Sequence, residues 1–142
     1  KDEVKEMVGK GIHVIDPKEL VAYERNQGFN AFYGPLLAEL AHANRPIPDS
    51  ITVSIIGNEI KKIKKESEEA GDDSLLKFLV VNFPENLEQS IRFERDVKTI
   101  DNIIKVENIS KGDDNEIYQY FETVDKIKSI KKISNLSDFY KE

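Results

Sequence analysis

The sequence predicts an α/β domain in which a parallel sheet is flanked by helices in three layers. Four short, β-branched apolar runs read as strands, at residues 12–15, 78–81, 103–106 and 127–133. Stretches with apolar residues at helical spacing separate them. Strands that alternate with helices favour a parallel sheet with right-handed crossovers. A chain of 142 residues fits one domain spanning 1–142 and is long enough to bury a real core.

Each element has its own local reason. Residues 12–15 and 78–81 are near-continuous apolar runs, as expected of strands covered on both faces. The runs at 103–106 and 127–133 carry Lys105, Lys128, Lys131 and Lys132, which suits positions nearer a sheet edge. Asp16-Pro17-Lys18-Glu19 starts a helix: Asp16 caps, Pro17 suits the first turn and Glu19 can reach back. Pro35 opens a second helix with Leu36, Leu37, Leu40 and Ala41 on one face. Pro48-Asp49 opens a third, with Thr52, Ile56, Ile60 and Ile63 in register. Leu87 and Ile91 begin a fourth; Ile117, Tyr120, Phe121 and Val124 make a fifth; Leu136, Phe139 and Tyr140 mark a short last one. The polar stretches 66–74 and 110–115 read as loops. Lys61, Lys62, Lys64 and Lys65 are expected at the end of the third helix, where cations suit the helix dipole.

Composition narrows the function classes. A formal net charge of −6 argues against non-specific DNA or RNA binding, which needs a cationic surface. Cysteine is absent, so there is no disulfide framework and no thiolate metal site. No apolar run approaches the ~18 residues of a membrane span. The acidic stretch at 66–74 lacks the ligand spacing of a calcium loop, so no metal site is expected. His13 alternates with apolar strand residues and reads as a structural histidine, and His42 as a surface helix residue.

One stretch carries a family resemblance. Lys77-Phe78-Leu79-Val80-Val81-Asn82-Phe83-Pro84-Glu85-Asn86-Leu87-Glu88-Gln89 reads as a strand, a proline turn and a helix start. It resembles the corresponding stretch of adenylate kinases and related nucleoside monophosphate kinases, Phe-Leu-hydrophobic-Asp-Gly-Phe-Pro-Arg-Thr/Asn-Leu-x-Gln. The segment beginning Lys10-Gly11-Ile12-His13 and the segment Asn44-Arg45-Pro46-Ile47-Pro48-Asp49 are similar to two further kinase motifs, in the same order. The region from Tyr120 to Tyr140 resembles that family's terminal helix, strand and helix. The resemblance implies an adenylate-kinase-like fold of the P-loop NTPase kind, with a reduced lid and a missing first strand. It implies that residues 22–65 form the monophosphate-binding helical insertion and that 108–116 are a lid remnant. The chain lacks an initiator Met and begins mid-pattern, so it is expected to be a fragment of a longer protein. The gap left by the missing strand would then close by contraction of the sheet or, preferably, by insertion of another strand.

The chemistry of that family is lost in this chain. The positions of its two monophosphate-binding arginines are Val21 and Glu85, and that of its magnesium-organising aspartate is Val81. No Gly-rich phosphate loop is present. Gln89 keeps the type of the base-reading residue, with Ile47 and Phe83 as apolar walls; Gln89 reads equally as a polar residue in the first turn of a helix. The resemblance therefore implies a catalytically inactive kinase-like domain that serves as a structural or protein-interaction module. The alternative is a true nucleoside monophosphate kinase whose phosphate loop lies outside this chain. The first reading carries no catalytic residue and no cofactor, weak or absent nucleotide binding, and a protein partner or parent chain. It predicts no nucleic acid and no membrane partner, and a cytoplasmic setting with axonemal or cytoskeletal assembly as a variant.

Overall fold

The computed structural model describes residues 12–71, 76–106 and 116–130. They form, in order, strand β1 (Ile12–Ile15), helix α1 (Pro17–Asn26), a 3₁₀ turn (Gly28–Asn30), helix α2 (Gly34–His42), helix α3 (Asp49–Glu69), strand β2 (Lys77–Val80), helix α4 (Leu87–Asp96), strand β3 (Ile103–Val106), helix α5 (Glu116–Thr123) and strand β4 (Ile127–Ile130). The described residues divide into two compact units, one from Ile15 to Phe83 and one from Pro84 onward that includes residues 12–14.

The three-layer parallel sheet is not what forms. Among the described residues the strands pair two by two, β1 with β2 and β3 with β4. Helix is the dominant structure. An adenylate-kinase-like core therefore does not form, and no central gap between β2 and β3 arises to be closed by contraction or insertion. The physical reason lies in burial. Strands covered on both faces should be buried throughout, yet in β1 only Ile15 is, and β2 is at best half-buried with Lys77 exposed. The apolar runs were long enough to mark strands but carried no information on partners.

The first unit is a helical layer. Asp16 accepts a bond from the Lys18 N–H at 3.1 Å and Pro17 fills the first turn, so α1 starts where its sequence says it should. Val21 of α1, Leu37 of α2 and Ile55 of α3 meet in a buried cluster, edged by Leu20, Tyr33, Ile47 and Ile51. Helix α2 ends in a Schellman turn. Asn44 takes the left-handed conformation (φ 54°), Asn44 N–H donates to the Ala41 carbonyl and Arg45 N–H to that of Leu40. Helix α3 buries Thr52, Val53, Ile55, Ile56 and Ile60, so it is covered over more of its circumference than a single stripe. It also runs further than the sequence implied. Glu66–Glu69 are helical, and the four lysines lie short of a last turn that holds no basic residue. Lys and Glu are strong helix formers, and their propensity outweighs the dipole cost of an acidic C-terminus.

In the second unit β3 and β4 pair in parallel, Ile103 opposite Ile127 and Val106 opposite Ile130, with α5 in the connection between them. Ile103, Ile117 and Phe121 form its buried cluster, with Ile100, Tyr118 and Ile127 around it. Asp125 closes α5 in a second Schellman turn (φ 56°), with Lys126 N–H donating to Phe121 and Asp125 N–H to Glu122. Glu94 of α4 accepts the Ile100 N–H at 3.0 Å and lies 3.6 Å from the Lys126 ammonium, tying the helix to both flanks of the strand pair. The helix expected around Leu136, Phe139 and Tyr140 and the loop at 110–115 lie outside the described residues.

A candidate interaction surface

The residues singled out in the sequence fall in different places. Val21 is a core side chain packed with Leu37 and Ile55. Its apolar character follows from burial and needs no lost arginine to explain it. Val81 follows β2 and donates its N–H to the Ile15 carbonyl at 2.9 Å. Ile47 lines the edge of the same cluster as Val21. Ile47 and Phe83 belong to the first unit, Gln89 and Glu85 to the second.

Glu85 and Gln89 are brought together by a helix cap. Asn86 is the N-cap of α4 and accepts the Gln89 N–H at 2.8 Å. The Gln89 side chain reaches back, accepting the Glu85 N–H at 2.9 Å and donating to the Glu85 carboxylate at 3.2 Å. This is a capping box shifted by one residue. It satisfies helix-start N–H groups locally and buries Gln89 to 2% exposure. The turn Asn82-Phe83-Pro84-Glu85-Asn86 thus has a structural purpose of its own, which any strand–turn–helix junction needs.

The feature that the sequence reading missed is the junction between α1 and α2. Phe29 is 96% exposed, Phe32 88% and Tyr23 67%. Two glycines build this loop. Gly28 adopts φ +56°, where a side chain is strained, and a Cβ placed on Gly34 would collide with the Gly28 carbonyl. The Tyr33 N–H, at the start of α2, donates to the Glu24 carboxylate of α1 at 3.1 Å. An anion at that helix N-terminus is also favoured by the dipole. The Phe32 ring stands edge-on to Tyr33, with centroids 4.9 Å apart, and Tyr33 packs on the buried cluster. Phe32 is therefore held outward on a fixed base. A shallow cleft beside it is lined by Gly28, Phe29, Pro35, Leu36, Ala38 and Glu39. Residues 26–38 contain no charged side chain, in a chain where 34% of residues are charged. That uncharged run, with three aromatic residues and two glycines, is the signal from which the surface was legible.

Other chemistry is sparse among the described residues. No group of three or more His, Cys, Asp or Glu stands close enough to hold a metal ion. No helix there is long and apolar enough to cross a membrane. Arg95 and Asp96 pair at the surface at 2.8 and 3.0 Å. Their hydrogen bond, helped by charge attraction, holds the Asp96 carboxyl below its usual range and raises the Arg95 guanidinium.

A family model described as "AIM36 C-terminal domain" matches residues 1–130. The chain belongs to that family. Among its relatives is "Altered inheritance of mitochondria protein 36, mitochondrial" of Kluyveromyces lactis, 34% identical over 122 residues, which cover 82% of this chain and 51% of the relative. The protein of the same name from Clavispora lusitaniae is 27% identical over 133 residues, 85% of this chain and 45% of that protein. That of Candida albicans is 30% identical over 90 residues, 63% of this chain and 29% of that protein. The chain spans about half the length of the first two.

Membership of this family overturns the resemblance to nucleoside monophosphate kinases. Neither the inactive-kinase reading nor the active-kinase alternative stands. The mitochondrial name of the relatives likewise overturns the expected cytoplasmic or axonemal setting. The motifs misled because a strand followed by a proline turn and a capped helix is generic. The phosphate loop that would have made the match specific was the part not present.

Proposed function

We propose that this chain is a protein-docking domain of a mitochondrial protein, with the Phe29–Phe32 loop as its contact surface. The observation that carries this reading is the exposure of two phenylalanines on a loop whose shape is locked by Gly28, Gly34 and Glu24. Exposed large apolar groups that cluster on one surface mark interaction sites, whereas scattered ones are ordinary. A rigid aromatic anchor also loses little conformational entropy when it is bound. The mitochondrial setting is taken from the names of the relatives.

A photoactivatable phenylalanine analogue at position 32 of the intact protein, illuminated in isolated mitochondria, tests this. A discrete protein adduct is expected from position 32 and none from the same analogue at Lys61, an exposed position on α3. Equal patterns from both positions would reject the loop as the docking surface.

A further inference from the structure

We infer that the occupant of this surface is a second copy of the same chain, seated in a twofold contact between aromatic loops. The inference rests on the docking reading above and adds the partner to it.

Three observations support a second copy. The first is shape. A twofold contact uses the same patch on both partners, so the patch must carry a projection and a recess side by side. Phe32 is the projection, fixed edge-on against Tyr33. The recess is the cleft between Phe29 and the Pro35–Leu36 turn of α2. Phe32 of one copy can enter the recess of the other, and the reverse contact follows by symmetry.

The second is charge. Two copies of a chain with net charge −6 repel each other over most orientations. Residues 26–38 carry no charge and Glu39 is the one charged residue lining the cleft, so this face meets its own copy with a small like-charge penalty. An anionic lipid surface would instead call for cations around the aromatic tips, and the loop supplies none.

The third is area. Phe29, Phe32 and Leu36 are all exposed on or beside the cleft. At 150–250 Å² for a whole aromatic side chain they present roughly 430 Å² of apolar surface per copy. Two copies together then bury about 850 Å², below the lower bound of about 1,200 Å² for a stable interface and in the range of transient contacts. The contact is accordingly a weak, reversible dimer, not an obligate one.

Sedimentation velocity of the intact protein over a concentration series is the test. A monomer–dimer equilibrium is expected, weakened at least ~30-fold by Phe32→Glu and by Phe29→Ser and unaltered by Lys61→Glu. Circular dichroism melts of the variants should superimpose on that of the parent. Should a variant fail to fold, the photoactivatable residue at position 32 gives the same answer on the unaltered fold. Its adduct must have twice the protein's mass, with the crosslink inside residues 28–39. A dimer that Phe32→Glu leaves intact overturns the inference. A protein that stays monomeric while position 32 crosslinks to a different protein overturns the second copy and leaves the docking surface standing. A monomer with no specific adduct removes both.

Discussion

Two pairs of sequence-adjacent aromatic residues, one in each unit, have nearly the same geometry and opposite orientations. Phe32 and Tyr33 stand edge-on at 4.9 Å in the loop before α2, and Tyr120 and Phe121 edge-on at 5.0 Å in α5. In α5 the phenylalanine is fully buried and the tyrosine lies at the surface. That is the ordinary arrangement, since Phe has no polar group to satisfy and Tyr keeps its hydroxyl wet. In the loop the tyrosine packs against the core and the phenylalanine faces water. Removing Phe32 from solvent within its own unit would have been favourable by roughly 1.5–3 kcal/mol. The loop is built so that this does not happen, which is why the inversion reads as function and the α5 pair as packing.

Truncating the phenylalanine of each pair should separate the two most strongly. Phe121→Ala should cost about 4 kcal/mol, the transfer term plus the cavity left beside Ile103 and Ile117. Phe32→Ala should change stability by less than about 0.5 kcal/mol. Urea unfolding of both variants measures this, and similar losses for the two would show that Phe32 is a core residue.

Gly34→Ala attacks the frame that holds the loop open. The new Cβ meets the Gly28 carbonyl, which is backbone and cannot swing aside. A loss of about 3 kcal/mol is expected, together with changed near-ultraviolet dichroism as the Phe32–Tyr33 pair shifts. A variant as stable as the parent would mean that the glycine contact does not set the loop.

Glu24→Ala removes the carboxylate that receives the Tyr33 N–H. The cost should be about 1 kcal/mol, as for loss of a helix cap. Hydrogen exchange at Tyr33 should quicken more than exchange at Phe121, whose helix is untouched. No change at Tyr33 would sink the proposed tie between α1 and α2.

The smallest effect concerns pH at the surface pair of α4. Asp96 is held below its usual range by Arg95, so the folded state favours the charged carboxylate. The resulting stabilisation is fully present above the unfolded aspartate value of about 4 and is lost as pH falls through the lowered folded value. Arg95→Ala and the parent should therefore differ slightly at neutral pH and converge in acid. Because both groups are exposed to water, the neutral-pH difference should lie near the limit of thermal-melt detection.

Much of the local structure was legible in the residues. Asp16 and Pro17 start α1, the strands at 12–15 and 103–106 fall on the predicted residues, and β2 is displaced by one. Gln89 was legible as a residue of a first helical turn, and the capping box accounts for how its side chain is bonded. The third helix extends through Glu66–Glu69, which the polar composition assigns to a loop, because Lys and Glu favour helix. The uncharged run at 26–38 marks the aromatic surface in the sequence, but which of its aromatic residues stays exposed is decided by packing against Val21, Leu37 and Ile55.

Features that depend on residues a few positions apart are written in the chain: caps, helix starts, most strand limits, and the uncharged run at 26–38. Which strands pair, and which of two adjacent aromatic residues turns inward, depends on the folded arrangement of distant segments. β1 joins β2 across three helices, and Tyr33 is drawn in because Val21, Leu37 and Ile55 have already made a place for it. Caps are set by bonds between near neighbours, whose geometry the local chain dictates. Strand pairing and side-chain burial are set by packing between distant segments, and no short stretch of sequence contains both partners.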